Sequence, residues 1–252
     1  MDKQEISPSE VNTLPDPPSN PLEREIHRLL EQSEVLFPYE QALVLAAAAA
    51  ALNEPKLLRA AITSGFAYNA TPLALYESLL QTYLFAGFPA ALEALAVLQA
   101  LCKEQKRDFT PPPAAPHNEA LFQQRGKDLC QQIYTTAYNK MRQKLLAISP
   151  DLAEWMIVEG YGKTLSRPEL SARMRELVIV GVLAVLGWNT QLYSHLRGAM
   201  NVGATPVECI DTLYILSFLA EHSTDDVQPL LRKRIAAAQA TLTALLDDTN
   251  RH

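Results

Sequence analysis

The stretch Arg175–Pro206, RELVIVGVLAVLGWNTQLYSHLRGAMNVGATP, decides how this chain reads. An apolar run follows Glu176, Gly187 interrupts it, and a second run with helical spacing continues to Gly203. That is the pattern of two helices joined by a polar break. The first helix carries an acid, Glu176, and the second a single imidazole, His195, both in apolar company. The remainder reads as scaffold for this pair, or as a second copy that lacks it.

Of the 252 residues, 48% are apolar and 20% charged, enough apolar surface for a large core. Glycine is scarce, alanine and leucine are abundant, and long β-branched runs are absent, so an all-α fold is expected. The net charge of −6, with no long basic block, argues against nucleic acid as a partner. The polar start MDKQEISPSE has no apolar stretch behind a basic end and is not expected to act as a secretory signal. The longest apolar run, Ala42 to Leu52, is shorter than the roughly 20 residues of a bilayer span. A soluble, cytoplasmic protein without a membrane partner is expected. The scattered cysteines Cys102, Cys130 and Cys209 read as reduced core thiols.

Residues 1–20 carry four prolines and read as a flexible arm. Helices are expected over 21–36, over the alanine-rich stretch 40–52, after Pro55, from Pro72 to Gly87, and after Pro89. The run Asp108–Pro116, DFTPPPAAP, is the clearest boundary, because three consecutive prolines cannot continue a helix. It separates a first unit, 21–107, from a second, 117–252. In the second, one long helix is expected over 117–148 and a shorter one over 151–159, stopped by Gly160 and Gly162. Ser166-Arg-Pro-Glu169 reads as a capping box opening the Glu176 helix, and Asn189 as the cap of the His195 helix. A closing helix is expected over 228–248.

The two units share a pattern. Ala42–Ala86 reads as buried helix, break, helix, N-A-T-P, apolar helix; Glu176–Ala220 reads the same with G-A-T-P. In that register Glu176 falls opposite Ala42, and His195 opposite Ala61. Only the second copy has the acid and the imidazole.

Trp188, Gln191 and His195, at i, i+3 and i+7, lie on one helix face. A histidine there can bond to Glu176, which would orient the ring as general acid–base chemistry requires. The same residues also fit a core His–Glu pair with no chemistry. Arg175 and Arg197 flank the pair, either as clamps for a substrate carboxylate or as ordinary helix arginines; Tyr161 is equally open. No two histidines have metal-ligand spacing, and no glycine-rich phosphate loop or G-x-S-x-G nucleophile appears.

The segments YGKTLSRPELSARMREL (161–177) and LGWNTQLYSHLRGAMNVGATPVECIDTL (186–213) resemble the carboxymuconolactone decarboxylase family, within the alkylhydroperoxidase D-like superfamily. In the first half, ATPLALYESLLQTYLFAGFPAALEAL (70–95) looks like the downstream part of the same domain. The resemblance implies an all-α, AhpD-like helical bundle in two tandem repeats. The redox branch carries E-x11-C-x2-C-x3-H; here that frame reads Glu176-x11-Trp188-x2-Gln191-x3-His195, with both cysteines gone. Thiol–disulfide chemistry needs an attacking and a resolving thiol, so an antioxidant peroxidase activity is disfavoured. The decarboxylase branch uses no cofactor. By resemblance, His195 would protonate the dienolate left by CO2 loss and Glu176 would orient it. An arginine would anchor substrate, with Arg175, Arg197, Trp188, Gln191 and Tyr161 as candidate binding residues. The implied partners are a small carboxylated (lactone) substrate and copies of the chain itself, as a trimer with pseudo-sixfold arrangement of repeats. A non-catalytic oligomeric binding protein is the remaining alternative.

Overall fold

A computed structural model describes residues 18, 20–114 and 116–249, and among them every regular element is helical. The arm expected over 1–20 lies outside the described residues except at 18 and 20. Proline opens each of the first four helices, where its fixed φ and missing N–H suit the first turn. These are α1 (Pro21–Gln32), α2 (Pro38–Ala51), α3 (Pro55–Ala67) and α4 (Pro72–Leu80). Helix α5 (Tyr83–Glu104) is kinked at Gly87, whose φ of 87° and ψ of 165° are non-helical. Then come α6 (Glu119–Tyr134), a 3-10 turn (Thr135–Ala137), α7 (Tyr138–Ile148), α8 (Pro150–Trp155) and a π-helix (Met156–Leu165). The chain closes with α9 (Ala172–Leu186), α10 (Asn189–Asn201), α11 (Pro206–His222) and α12 (Gln228–Thr249).

The centre is the packing of α2 on α9. Alanines 46–49 are fully buried, and so are Val178, Ile179 and Val180 on the partner helix. Small side chains allow the approach: a Cβ on Gly181 would lie 2.7 Å from Val44 Cγ1. Helices α3, α4 and α5 surround α2, while α10, α11 and α12 surround α9. The buried apolar residues of both halves form one continuous cluster. Three helices of one half start at Pro38, Pro55 and Pro72; α9, α10 and α11 start at Ala172, Asn189 and Pro206, each 134 residues later. The left-handed residues at the junctions keep the same register, Asn53 with Gly187 and Asn69 with Gly203.

Several local expectations are corrected. The first helix ends at Gln32 rather than Leu36, with Ser33 extended. The helix expected to run from Pro72 to Gly87 breaks at Gln81–Thr82. There the Thr82 hydroxyl donates to Leu79 O, and Gln81 Nε2 donates to Arg175 O at 3.1 Å. The long helix expected over 117–148 is interrupted at Thr135, whose φ is +47°. Gly160 and Gly162 do not stop a helix; the π-helix runs through both. Its glycine serves close approach instead. A Cβ on Gly162 would lie 1.8 Å from Phe122 O, and one on Gly126 would lie 2.0 Å from Ile157 O. Ser166 ends the π-helix rather than opening the next one. Ser171 caps α9, its hydroxyl accepting from Met174 N at 3.2 Å. Trp188, not Asn189, occupies the cap position of α10 and makes no side-chain cap bond. Residues 107–114 and 116–118 carry no helix, and Phe109 packs against Tyr76 of α4 with ring centroids 5.9 Å apart.

A buried ion cluster ties α4 to α9. Glu77 is fully buried and accepts from Arg175 Nη2 at 2.9 Å and Arg167 Nε at 2.8 Å. Arg175 also donates to Gln81 Oε1 at 3.1 Å and to Arg167 O at 2.9 Å. Removing the carboxylate strands a guanidinium inside the bundle, at a cost of about 3–5 kcal/mol. Glu77→Ala is therefore expected to lower the free energy of urea unfolding by about that amount; an unchanged midpoint would show that the cluster adds no stability.

Candidate active site

Glu176 sits in the first turns of α9, and His195 two turns into α10. The left-handed Gly187 turns the chain back so that the two helices pack side by side. His195 Nδ1 then lies 2.8 Å from Glu176 Oε2. Glu176 is 1% exposed and His195 6%. With the carboxylate on Nδ1, the neutral ring carries its proton there and Nε2 is left for a second partner.

Gly198, one turn after His195, makes room for the carboxylate. A Cβ at this position would stand 2.9 Å from Glu176 Oε2 and 2.6 Å from Ile133 Cγ2. Phe85, from α5 in the other half, meets the imidazole edge-on with centroids 5.6 Å apart. Behind the pair, α6 and the π-helix supply Cys130, Tyr134 and Tyr161. Tyr161 OH donates to Tyr134 OH at 3.0 Å. Burial pushes both phenols well above the ordinary tyrosine range, and the Glu176 charge pushes them the same way. The second carboxylate oxygen, Glu176 Oε1, is buried with no hydrogen-bond partner.

The other sequence-derived candidates are placed differently. Arg175 is adjacent to Glu176 in sequence but projects from a different side of α9. Its guanidinium is engaged by Glu77, Gln81 and the Arg167 carbonyl, so it is not an anchor beside the pair. Burial lowers its pKa and Glu77 opposes that shift. Arg197 lies exposed on α10. Trp188, 57% exposed, and Gln191, also exposed, mark the solvent side of the helix start, while His195 faces inward. Tyr161 is buried and reaches the site only through Tyr134. Sequence reasoning missed Phe85, Cys130, Tyr134 and Gly198. Only Gly198 left a usable signal, a residue without a side chain one turn from the histidine on the same face. Among the described residues no cluster of three or more histidine, cysteine or acidic side chains is placed to hold a metal ion.

The thiols are withheld from redox chemistry by burial. Cys130 and Cys209 are pushed up to about 12 and Cys102 is raised, in each case mainly by desolvation. All three are buried and free. The native protein is therefore expected to react very slowly with a disulfide reagent at pH 8, and to release three equivalents in denaturant. Rapid native labelling, read by absorbance, would contradict this.

A family model and a curated relative each match part of this chain. Residues 150–222, which span the π-helix, the His–Glu pair and α11, match the model of the carboxymuconolactone decarboxylase family. A curated relative, peroxisomal protein 2 of Schizosaccharomyces pombe, is 28% identical over 137 residues, covering 52% of this chain and 61% of that protein. The chain thus spans less than two thirds of that relative's length. Within an all-α bundle, the segment that carries the motif frame is thus similar to the carboxymuconolactone decarboxylase family.

Proposed function

We propose that this protein is a cofactor-free lyase or related proton-transfer enzyme acting on a small, unsaturated, carboxylated compound, with His195 as the proton donor and Glu176 as the residue that orients it. The observation that carries the reading is the buried 2.8 Å contact between the two, inside the family-matching segment. Loss of CO2 from a substrate carboxylate leaves its electron pair in a dienolate. Protonation at carbon then completes the reaction, and an imidazolium Nε2–H facing the substrate is suited to supply that proton. Phe85 and the apolar helix faces exclude water from the ring. A peroxidase reading is disfavoured on chemistry. Trp188 and Gln191 occupy the positions of the two motif thiols, and Cys130 is sealed in the core.

The shared register of the two halves supports a duplicated chain, with units 21–107 and 117–252 joined through 108–116. Large apolar side chains left exposed on several helices, among them Phe88 and Leu92 on α5 and Val207, Ile210 and Tyr214 on α11, support self-association. We read the assembly as a trimer carrying six pseudo-equivalent units. Helix α5 alone, among the described residues, is long and apolar enough to cross a bilayer, yet it packs on α3 and α4 and is read as a bundle helix. A cytoplasmic location remains part of the proposal, although the relative's name places that protein in the peroxisome.

Purified protein is expected to consume carboxymuconolactone, with loss of its ultraviolet absorbance and release of CO2. His195→Ala should cut turnover by about 10²–10⁴-fold while leaving the circular dichroism spectrum intact. Full activity in that variant would sink the assignment of the proton donor. Light scattering is expected to give a mass of three chains; a monomer at working concentration would remove the trimer.

A further inference from the structure

The Glu176–His195 contact leaves part of its surroundings unused. Tyr161 donates its hydroxyl proton to Tyr134, at 3.0 Å, so the Tyr134 oxygen is held as an acceptor and its own proton points elsewhere. No partner takes that proton among the described residues. Glu176 Oε1 is likewise buried and has no donor. The Glu176 charge bears on both phenols, so all three groups share one electrostatic neighbourhood. A free donor and a free acceptor therefore coexist here without satisfying each other. An unmet buried acceptor costs about 1–3 kcal/mol. Such a gap suits a third group that accepts from one side and donates to the other. Tyr161 is sealed, whereas Tyr134 is half-buried and forms the open end of the relay.

This positioning is built into the backbone. Gly126 and Gly162 let α6 and the π-helix touch main chain to main chain, which brings the two tyrosine rings to 6.1 Å at an interplanar angle of 76°. A π-helix inserts an extra residue per turn and is frequently found at functional sites. The raised phenols stay protonated through the neutral range, as a donor must.

We propose that Tyr134, oriented by Tyr161, is the hydrogen-bond donor of the Glu176–His195 site to the oxygen of an enol or enolate, with Glu176 Oε1 accepting the proton of the enol form. The inference rests on the reading of the site as one that forms and protonates a dienolate. It adds that the substrate carries an oxygen conjugated to the reacting carbon. Tyr134 would stabilise the charge placed on that oxygen when CO2 leaves, and His195 would protonate the carbon. Tyr161 is a positioning residue, since it acts only through Tyr134.

Phenols imitate a conjugated enol, so 4-nitrophenol is a direct probe, followed by its absorbance on titration with full-length protein. Wild type is expected to bind it. Tyr134→Phe should weaken binding about tenfold or more, the loss of one hydrogen bond to a charged or strongly polar oxygen. Tyr161→Phe should weaken it less, and His195→Ala should retain it while losing turnover. Because Tyr134→Phe could unfold the chain, 3-fluorotyrosine at position 134 provides a second arm. Its more acidic phenol should tighten binding and shift its fluorine resonance on addition of probe. Equal affinity in wild type and Tyr134→Phe, or no binding by wild type, overturns the proposal. Tyr134-dependent binding in a protein with no turnover of any lactone acid would count against the proposed reaction and not against this donor.

Discussion

Helix α9 is buried along nearly its whole length, yet it carries two adjacent opposite charges, and the rest of the structure answers that constraint. Arg175 and Glu176 are each 1% exposed. Neighbouring residues project about 100° apart on a helix, so one partner cannot serve both. The arginine turns toward the first half and is met by Glu77, Gln81 and a carbonyl. The glutamate turns toward α10 and is met by His195. A charge taken from water without such partners would cost several kcal/mol. Both halves of the chain are thereby required to hold one helix.

The two solutions differ in completeness, and the difference separates scaffold from site. The Glu77 cluster uses both of its carboxylate oxygens on arginines. The Glu176 carboxylate uses one oxygen on His195 and leaves the other bare. Gly198 holds space open against that carboxylate, and Phe85 reaches across from the other half to the imidazole. Where the first half has its counterpart positions, Ala42 and Ala61 are simply buried alanines. Helices at matching register so provide one packed face and one that carries the Glu176–His195 pair.

Much of this was legible in the sequence, for reasons that differ by residue. The all-α class follows from alanine and leucine content and from proline at helix starts, since both act within a turn or two. The Glu176–His195 contact could be anticipated because the two residues are separated by one short turn between antiparallel helices, which leaves few ways to pack. Phe85, Tyr134 and Glu77 could not. Each comes to its place through contacts spanning roughly a tenth to nearly half of the chain, and nothing local marks them. The π-helix was misread because glycine signals a stop in isolation. Here Gly162 is demanded by a carbonyl of α6 that no local pattern reveals. Arg175 stays open in the sequence for the same reason, because Glu77 and Gln81, which engage its guanidinium, lie more than ninety residues upstream.

The charge inventory also bears on how a carboxylated substrate would be handled. Beside the pair, the contacts are with an acid, an imidazole, phenols, a thiol and a phenyl ring. Arg175 is engaged elsewhere, and Arg197 is exposed on α10, two residues from His195 and so on a different face. A substrate carboxylate next to His195 would thus meet apolar surface and an acid, with no guanidinium beside it among the described residues. Such surroundings disfavour a localised carboxylate more than the dispersed charge of a dienolate, and so favour CO2 loss over tight holding of the ground state. If an arginine does anchor the far end of the substrate, it must come from the exposed surface or from a neighbouring chain. On the proposed self-association, the exposed apolar faces of α5 and α11 would then have a second role. They would fix how close a neighbouring subunit's arginine can come to the ring of His195.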